Sequence, residues 1–266
     1  MTNTKELLTA AASIAREAGE IALNMQTRLE RVEHKGPKDL VTEADMKCDH
    51  HIRERVEQSF PRHGIISEEL EQKAGSSPVV WYVDPIDGTV NYSRGIPIWG
   101  ISIGIQIDGI TAVGVAHLPA LNETYTAIRG EGTFCNGKPV FVGSTDRLSE
   151  AIISNGDFNV GADDEERTRL NRANTDLHAR EADSMQRVKC FGSAMVECAW
   201  VASGRLDAYL MLRFNSWDVA AGLLLVEEAG GRVSDIAGNP WNFQSGSLLA
   251  SNGHIHDEAL RALTAG

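Results

Sequence analysis

The sequence predicts a layered α+β or α/β fold, built as one compact unit or as two closely packed halves that divide near residue 145. Three observations predict it. Apolar residues follow helical spacing through about the first 60 positions, a glycine-punctuated β-rich stretch fills 98–142, and helices alternate with strands from there to the end.

Leu7, Leu8, Ala11, Ile14, Ala15, Ala18, Ile21, Ala22 and Met25 recur at three- and four-residue steps, which predicts an amphipathic helix over 5–26. HKGPKD at 34–39 is expected to be an exposed loop. DLVTEADMKCDHHIRERVEQSFP returns to helical spacing and stops at Pro61. After GIISEEL, EQKAGSSP is a polar loop leading into the strand VVWYV. IWGISIGIQIDG, ITAVGVAHLP, ETYTAIRG and GTFCNGKPVFV are parted by glycines and by Asp-Gly or Asn-Gly turns, the pattern of an antiparallel meander. The charged stretch 163–189 is helical or irregular, and SAMVECAWVASG is a buried helix ending at Gly204. DAYLML is a strand, DVAAGLLLVEEAGG a helix closed by glycine, RVSD a strand and DEALRALTA a final helix.

Composition excludes several function classes. The chain has 266 residues, 42% hydrophobic and 23% charged, with a net charge of −12 spread along its length. Such a surface repels phosphate backbones and anionic lipid, so no nucleic-acid or membrane partner is expected. No run approaches the eighteen apolar residues of a membrane span, and Glu6, Arg16, Glu17 and Glu20 interrupt the N-terminal stretch too often for a signal peptide. Cys48, Cys135, Cys190 and Cys198 show no CxxC spacing, which predicts reduced thiols and a cytoplasmic protein.

The chemistry is concentrated in VDPIDGT at 83–89. Asp84 precedes proline, which pushes it to extended geometry and is expected to place it at the very end of its strand. Gly88 frees the backbone just after Asp87. The two carboxylates can then converge, and two like charges about 4 Å apart repel by roughly 4 kcal/mol at an effective dielectric near 20. Such a pair calls for a shared proton or a cation, and oxygen ligands without histidine or cysteine favour Mg²⁺, Mn²⁺ or Ca²⁺. An isolated DPxDG is also what a capped Asx-turn requires. Here it is not isolated: IISEE at 65–69 is a second apolar run ending in acids, and FNSWDVAAG places Asp218 at a helix start, where a lone Asp would serve as a cap.

SEE, DPIDGT and WDVAAG…EAGG, in that order, resemble the signatures of the inositol monophosphatase family of lithium-sensitive, magnesium-dependent phosphatases. KGPKDLVTEAD and GEGTFCNGKPV extend the likeness over most of the chain. The resemblance implies an α-β-α-β-α sandwich of the inositol monophosphatase and fructose-1,6-bisphosphatase type, and a homodimer. It implies that Glu68, Asp84 and the carbonyl of Ile86 ligate a first Mg²⁺, that Asp84, Asp87 and Asp218 cage a second, and that Glu68 helps hold a third. Mn²⁺ is a substitute and Li⁺ an inhibitor. Glu69 is a neighbouring acid outside the cage.

Phosphate monoesters hydrolyse extremely slowly in water, and paired metals can acidify a water and stabilise a leaving alkoxide. The resemblance gives Glu68 and Thr89 to the attacking water, with Asp45 of TEAD as partner of Thr89; Asp45 could otherwise be a helix cap. The backbone N–H groups of Gly88 and Thr89 would bind phosphate oxygens if they open a helical turn. Asp87, Asp218, Gly192, Ser193 and Ala194 match substrate contacts, and Lys35 matches a mobile-loop lysine, though by itself it is a surface lysine.

The chain departs from the family at Met211. Inositol-cleaving members carry a glutamate there, seven residues before the WD aspartate, and methionine cannot accept hydrogen bonds from substrate hydroxyls. Arg213 could meet a second anionic group. The expected activity is therefore Mg²⁺-dependent hydrolysis of a small phosphorylated alcohol, inositol 1-phosphate or a related polyol phosphate. Histidinol phosphate, fructose 1,6-bisphosphate and phosphoadenosine phosphate are alternatives. A non-catalytic role as partner of transcription machinery would predict loss of the metal acids, which are intact, and no EF-hand loop supports a calcium module.

Overall fold

The computed structural model describes residues 3–27, 32–36 and 39–264. Its elements in chain order are α1 (Thr4–Gln26), β1 (Val32–Gly36), β2 (Asp39–Thr42), α2 (Glu43–Ser59), β3 (Gly64–Ser67), β4 (Val79–Asp87) and α3 (Thr89–Ser93). The strands β5 (Gly100–Ile107), β6 (Ile110–Leu118), β7 (Glu123–Ile128), β8 (Gly132–Cys135), β9 (Lys138–Val140) and β10 (Ile152–Asn155) follow. Then come α4 (Asp164–Ser184), β11 (Arg187–Lys189), α5 (Ala194–Ala202), β12 (Ala208–Met211), α6 (Ser216–Glu228), β13 (Arg232–Ser234), β14 (Leu248–Ser251) and α7 (His256–Thr264).

Two sheets carry the fold. The first runs β3-β4-β5-β6-β7-β8-β9, with β3 parallel to β4 and every later pair antiparallel. The second runs β11-β10-β12-β14-β13, parallel around β10 and antiparallel around β14. Helices α1 and α2 cover one face of the large sheet, and α6, paired with α5, covers the other. Helix α5 also touches β12 and β14, and α6 touches β13 and β14, while α4 and α7 pack together over a separate core that includes Leu177, Leu210, Leu249 and Ala259. The layers are thus α-β-α-β-α.

Strand β5 shows why these residues make this sandwich. Its sequence, GISIGIQI, alternates strictly, and Ile101, Ile103 and Ile105 enter the core that α1 and α2 close. The opposite face holds Ser102, Gly104 and Gln106, and the strand is buried on both sides. A β-carbon on Gly104 would stand 2.6 Å from that of Ala220 in α6. Small residues on this face let α6 lie close on the sheet, which fixes where its first turn points.

Three expectations need correction. The helix expected from Asp39 starts only at Glu43, because Asp39–Thr42 is strand β2 and Thr42 caps α2. The segment 34–39 is not simply a loop: His34, Lys35 and Gly36 lie in β1, Asp39 lies in β2, and the two strands pair antiparallel. Residues 37 and 38 lie outside the described residues, as does the side chain of Lys35. Strand β4 does not stop at Asp84. It continues to Asp87 through a pairing irregularity, since Asp84 faces Ser102 and Asp87 faces Gly100, so three steps on β4 match two on β5. Pro85, which has no N–H to give to a ladder, sits in that irregularity.

Candidate active site

A cleft of about 520 Å³ opens where β3, β4, α3, α5 and α6 begin or end. Parallel pairing builds its floor. Ser67 stands beside Val83, and the N–H of Glu68 donates to the Val83 carbonyl at 3.2 Å, so Glu68 and Asp84 leave neighbouring strands side by side. The irregularity in β4 then turns Asp87 toward the same opening, while Asp84 Oδ1 accepts the Ile86 N–H at 3.1 Å. Asp218 arrives from the first turn of α6, where its Oδ2 accepts the Asn215 N–H at 2.6 Å. Glu68, Asp84, Ile86, Asp87 and Asp218 all line the cleft.

Burial and mutual repulsion act on Asp84, Asp87 and Asp218. Burial pushes Asp84 well above the usual carboxylate range, and Glu68, Asp87 and Asp218 add repulsion in the same direction. Burial raises Asp87 to about 7; hydrogen bonds from Ser193 Oγ at 2.7 Å and Met195 N–H at 2.6 Å oppose it, and Glu68 reinforces it. Asp218, half-buried at the cleft surface but enclosed below, is pushed up to about 8 by burial, with Asp87 and Glu68 contributing. Among the described residues no three acids or histidines are already drawn into a tight cage; Asp84, Asp87 and Asp218 are each tied outward to backbone N–H groups. The donor set is oxygen only, anionic and mutually repelling, which fits a hard divalent cation.

Beside the acids stands a hydroxyl relay. Thr89 Oγ1 lies 3.0 Å from Asp45 Oδ1 and 3.0 Å from the Ile86 carbonyl, so its one proton has two acceptors. Asp45 accepts the Thr42 N–H and hydroxyl with its other oxygen, as the third residue of the α2 capping box. It therefore both caps α2 and meets Thr89. Burial raises its carboxyl, and the bonds from Thr42 and Thr89 oppose the shift. Gly88, at φ +94°, introduces the short helix α3, a conformation that favours glycine. Gly192, Ser193 and Ala194 form the opposite wall at the start of α5, where Ser193 caps the helix.

Sequence reading missed part of this wall. Asp157, Asn159, Arg167, Glu197 and Tyr209 also line the cleft. NGDFNVGADD carries no period and no strand-end acid pattern, and Glu197 looks like one polar position inside an apolar helix. Met211 and Arg213 line the cleft too, and Arg213 Nε stands 3.5 Å from Glu166 of α4. Glu69 is not among the lining residues; its N–H donates to Asp49 Oδ2 at 3.1 Å. A wider depression of about 910 Å³ runs along α4 between Asp163 and Asp176, but it is the surface of a single helix.

The model of the inositol monophosphatase family matches residues 3–265. A fructose-1,6-bisphosphatase/inositol-1-monophosphatase of Thermotoga maritima is 35% identical over 255 residues, covering 94% of this chain and 93% of its own. Inositol monophosphatase 3 of Solanum lycopersicum is 34% identical over 270 residues, covering 98% and 97%. Among solved structures, the extragenic suppressor protein suhB of Bartonella henselae superposes with a TM-score of 0.91 at 30% identity, covering 98% of this chain and 99% of its own.

Proposed function

The chain belongs to the inositol monophosphatase family, and from that premise we propose that its cleft hydrolyses the phosphate monoester of a small polyol, with inositol 1-phosphate as the leading substrate. The observation that carries the reading is the convergence of Glu68, Asp84, Asp87 and Asp218 from three separate elements on one cleft. Glu68, Asp84 and the Ile86 carbonyl would hold one Mg²⁺, Asp84, Asp87 and Asp218 a second, and Glu68 would share in a third. When bound, the cations supply Lewis acidity to the phosphoryl group and to the attacking water.

The chain's own residues supply the rest. Thr89 orients the attacking water and passes its proton toward Asp45, whose Oδ1 already faces the hydroxyl. Phosphate oxygens are received by the N–H groups of Gly88 and Thr89, and Gly192, Ser193 and Ala194 face the alcohol portion. Ser193 and Met195 hold Asp87 in place from the start of α5. Lys35 would approach from the β1–β2 side. The net charge of −12 speaks against nucleic acid as the substrate. Among the described residues no helix is long and apolar enough to cross a membrane. A homodimer inhibited by Li⁺, carried by the family alone, and a cytoplasmic setting, carried by the cysteine pattern, complete the reading.

A phosphatase screen with Mg²⁺ across inositol, histidinol, sugar-bisphosphate and nucleotide phosphates tests it. Highest kcat/KM on the inositol ester is expected. Phosphate release from none of them would refute the enzymatic reading.

A further inference from the structure

Asp49 is a second buried acid of α2, one turn beyond Asp45 and on the same face of the helix. It is 1% exposed and does not line the cleft. Its Oδ2 accepts the Glu69 N–H at 3.1 Å, and its Oδ1 has no partner among the described residues. A carboxyl so placed is a poor stabiliser, since burial without full pairing costs free energy. Burial pushes it above the usual carboxylate range, while the Ser67 hydroxyl, the Glu69 N–H, the Arg53 guanidinium and the Leu70 N–H pull it back.

What Asp49 holds is the segment that carries Glu68. Among the four acids of the cleft, Glu68 alone lies outside a strand or helix, just after β3. Its own N–H is bound to the Val83 carbonyl of β4, and Arg53 donates to Ser67 Oγ before it at 3.4 Å and to the Glu71 carbonyl beyond it at 2.6 Å. Asp49 takes the residue between, Glu69. Asp45, Asp49 and Arg53 stand four residues apart, so one face of α2 meets Thr89, Glu69 and Glu71 in turn. An oxygen of the Asp49 carboxyl accepts an N–H whether or not the group is ionised, so the hold does not require its charge.

Resting on the cation-site reading above, we propose that Asp49 is a positioning residue, its bond to the Glu69 N–H fixing the direction in which Glu68 presents its carboxylate to the cleft. Helix α2 therefore sets two parts of the site from one face: the hydroxyl relay through Asp45, and the loop-borne acid through Asp49.

Calorimetric Mg²⁺ titration of wild type, Asp49→Ala, Asp49→Asn and Val56→Ala tests this. Asp49→Ala should weaken Mg²⁺ binding by at least about ten-fold. Asp49→Asn, whose amide oxygen can take the Glu69 N–H, should keep most of the wild-type affinity. Val56→Ala removes buried packing from the same helix without touching that bond, and should lower the melting temperature but not the affinity. Unchanged affinity in Asp49→Ala, equal losses in Asp49→Ala and Asp49→Asn, or an equal loss in Val56→Ala would each overturn the proposal. If Asp49→Ala does not fold, hydrogen exchange in Mg²⁺-free wild type decides: a Glu69 amide protected at least about 100-fold is expected, and exchange at the rate of an open chain overturns the proposal. No Mg²⁺ binding by wild-type protein would instead overturn the cation-site reading beneath it.

Discussion

Asp87 faces the acid cluster and at the same time fastens the start of α5, since one of its oxygens accepts both Ser193 Oγ and the Met195 N–H. Asn at this position keeps an acceptor for those bonds while deleting the charge. Asp87→Asn should therefore fold normally, melting within a few degrees of wild type, yet lose Mg²⁺-dependent phosphate release by at least about 100-fold; near-wild-type turnover would remove Asp87 from the metal site. Thr89 depends on a hydroxyl rather than a charge. Thr89→Val should lower kcat by about 100-fold or more, and Thr89→Ser should recover most of it; equal activities in the two variants would show that the hydroxyl does not act. Asp87 was legible as one of two acids closing an apolar run, whereas the role of Thr89 came only from the family resemblance. Asp157 and Glu197 were not legible. Asp157 lies in an aperiodic loop, and Glu197 sits in an apolar helix, where only the tertiary structure shows that its oxygen lacks a partner.

At the scale of elements, the site depends on how closely α6 lies on the large sheet. Gly104→Val would drive a branched side chain into Ala220 and should destabilise the fold by about 1–3 kcal/mol, read as a lower urea midpoint. An unchanged midpoint would mean that α6 is not seated as described. α1, most of α2 and the meander were legible from periodicity and turns, whereas the charged sequence of α4 reads as helical or irregular. β3, β10 and β14 were not identified as strands: each has four residues, too few for alternation to register. HKGPKD suggested a loop, but β1 runs through Gly36 and β2 begins at Asp39 because the two strands pair with each other. The irregularity in β4 also escaped the sequence, since X-Pro geometry favours extended backbone without saying whether the ladder resumes.

At the scale of the whole molecule, the sandwich encloses acids that repel one another, and this couples stability to pH and to cations. Asp87 and Asp218 have folded-state values near 7 and 8, above the ordinary 3.8. Their contribution to stability is therefore full below the ordinary carboxylate range and is lost as pH rises through those folded values. A divalent cation binds the ionised acids, so millimolar Mg²⁺ should raise the melting temperature little near about pH 5 and by several degrees near about pH 8. A larger effect at the lower pH would reverse the sign of the argument. The layering itself followed from the family likeness more than from residue patterns, because α+β patterning leaves open how many sheets the strands make. The central claim is that acids from β3, β4 and α6 form one cation site, and calorimetric Mg²⁺ titration of wild type, Asp84→Asn and Asp218→Asn tests it most directly. Saturable binding in wild type that each substitution weakens is predicted; affinity unchanged by both substitutions would contradict it.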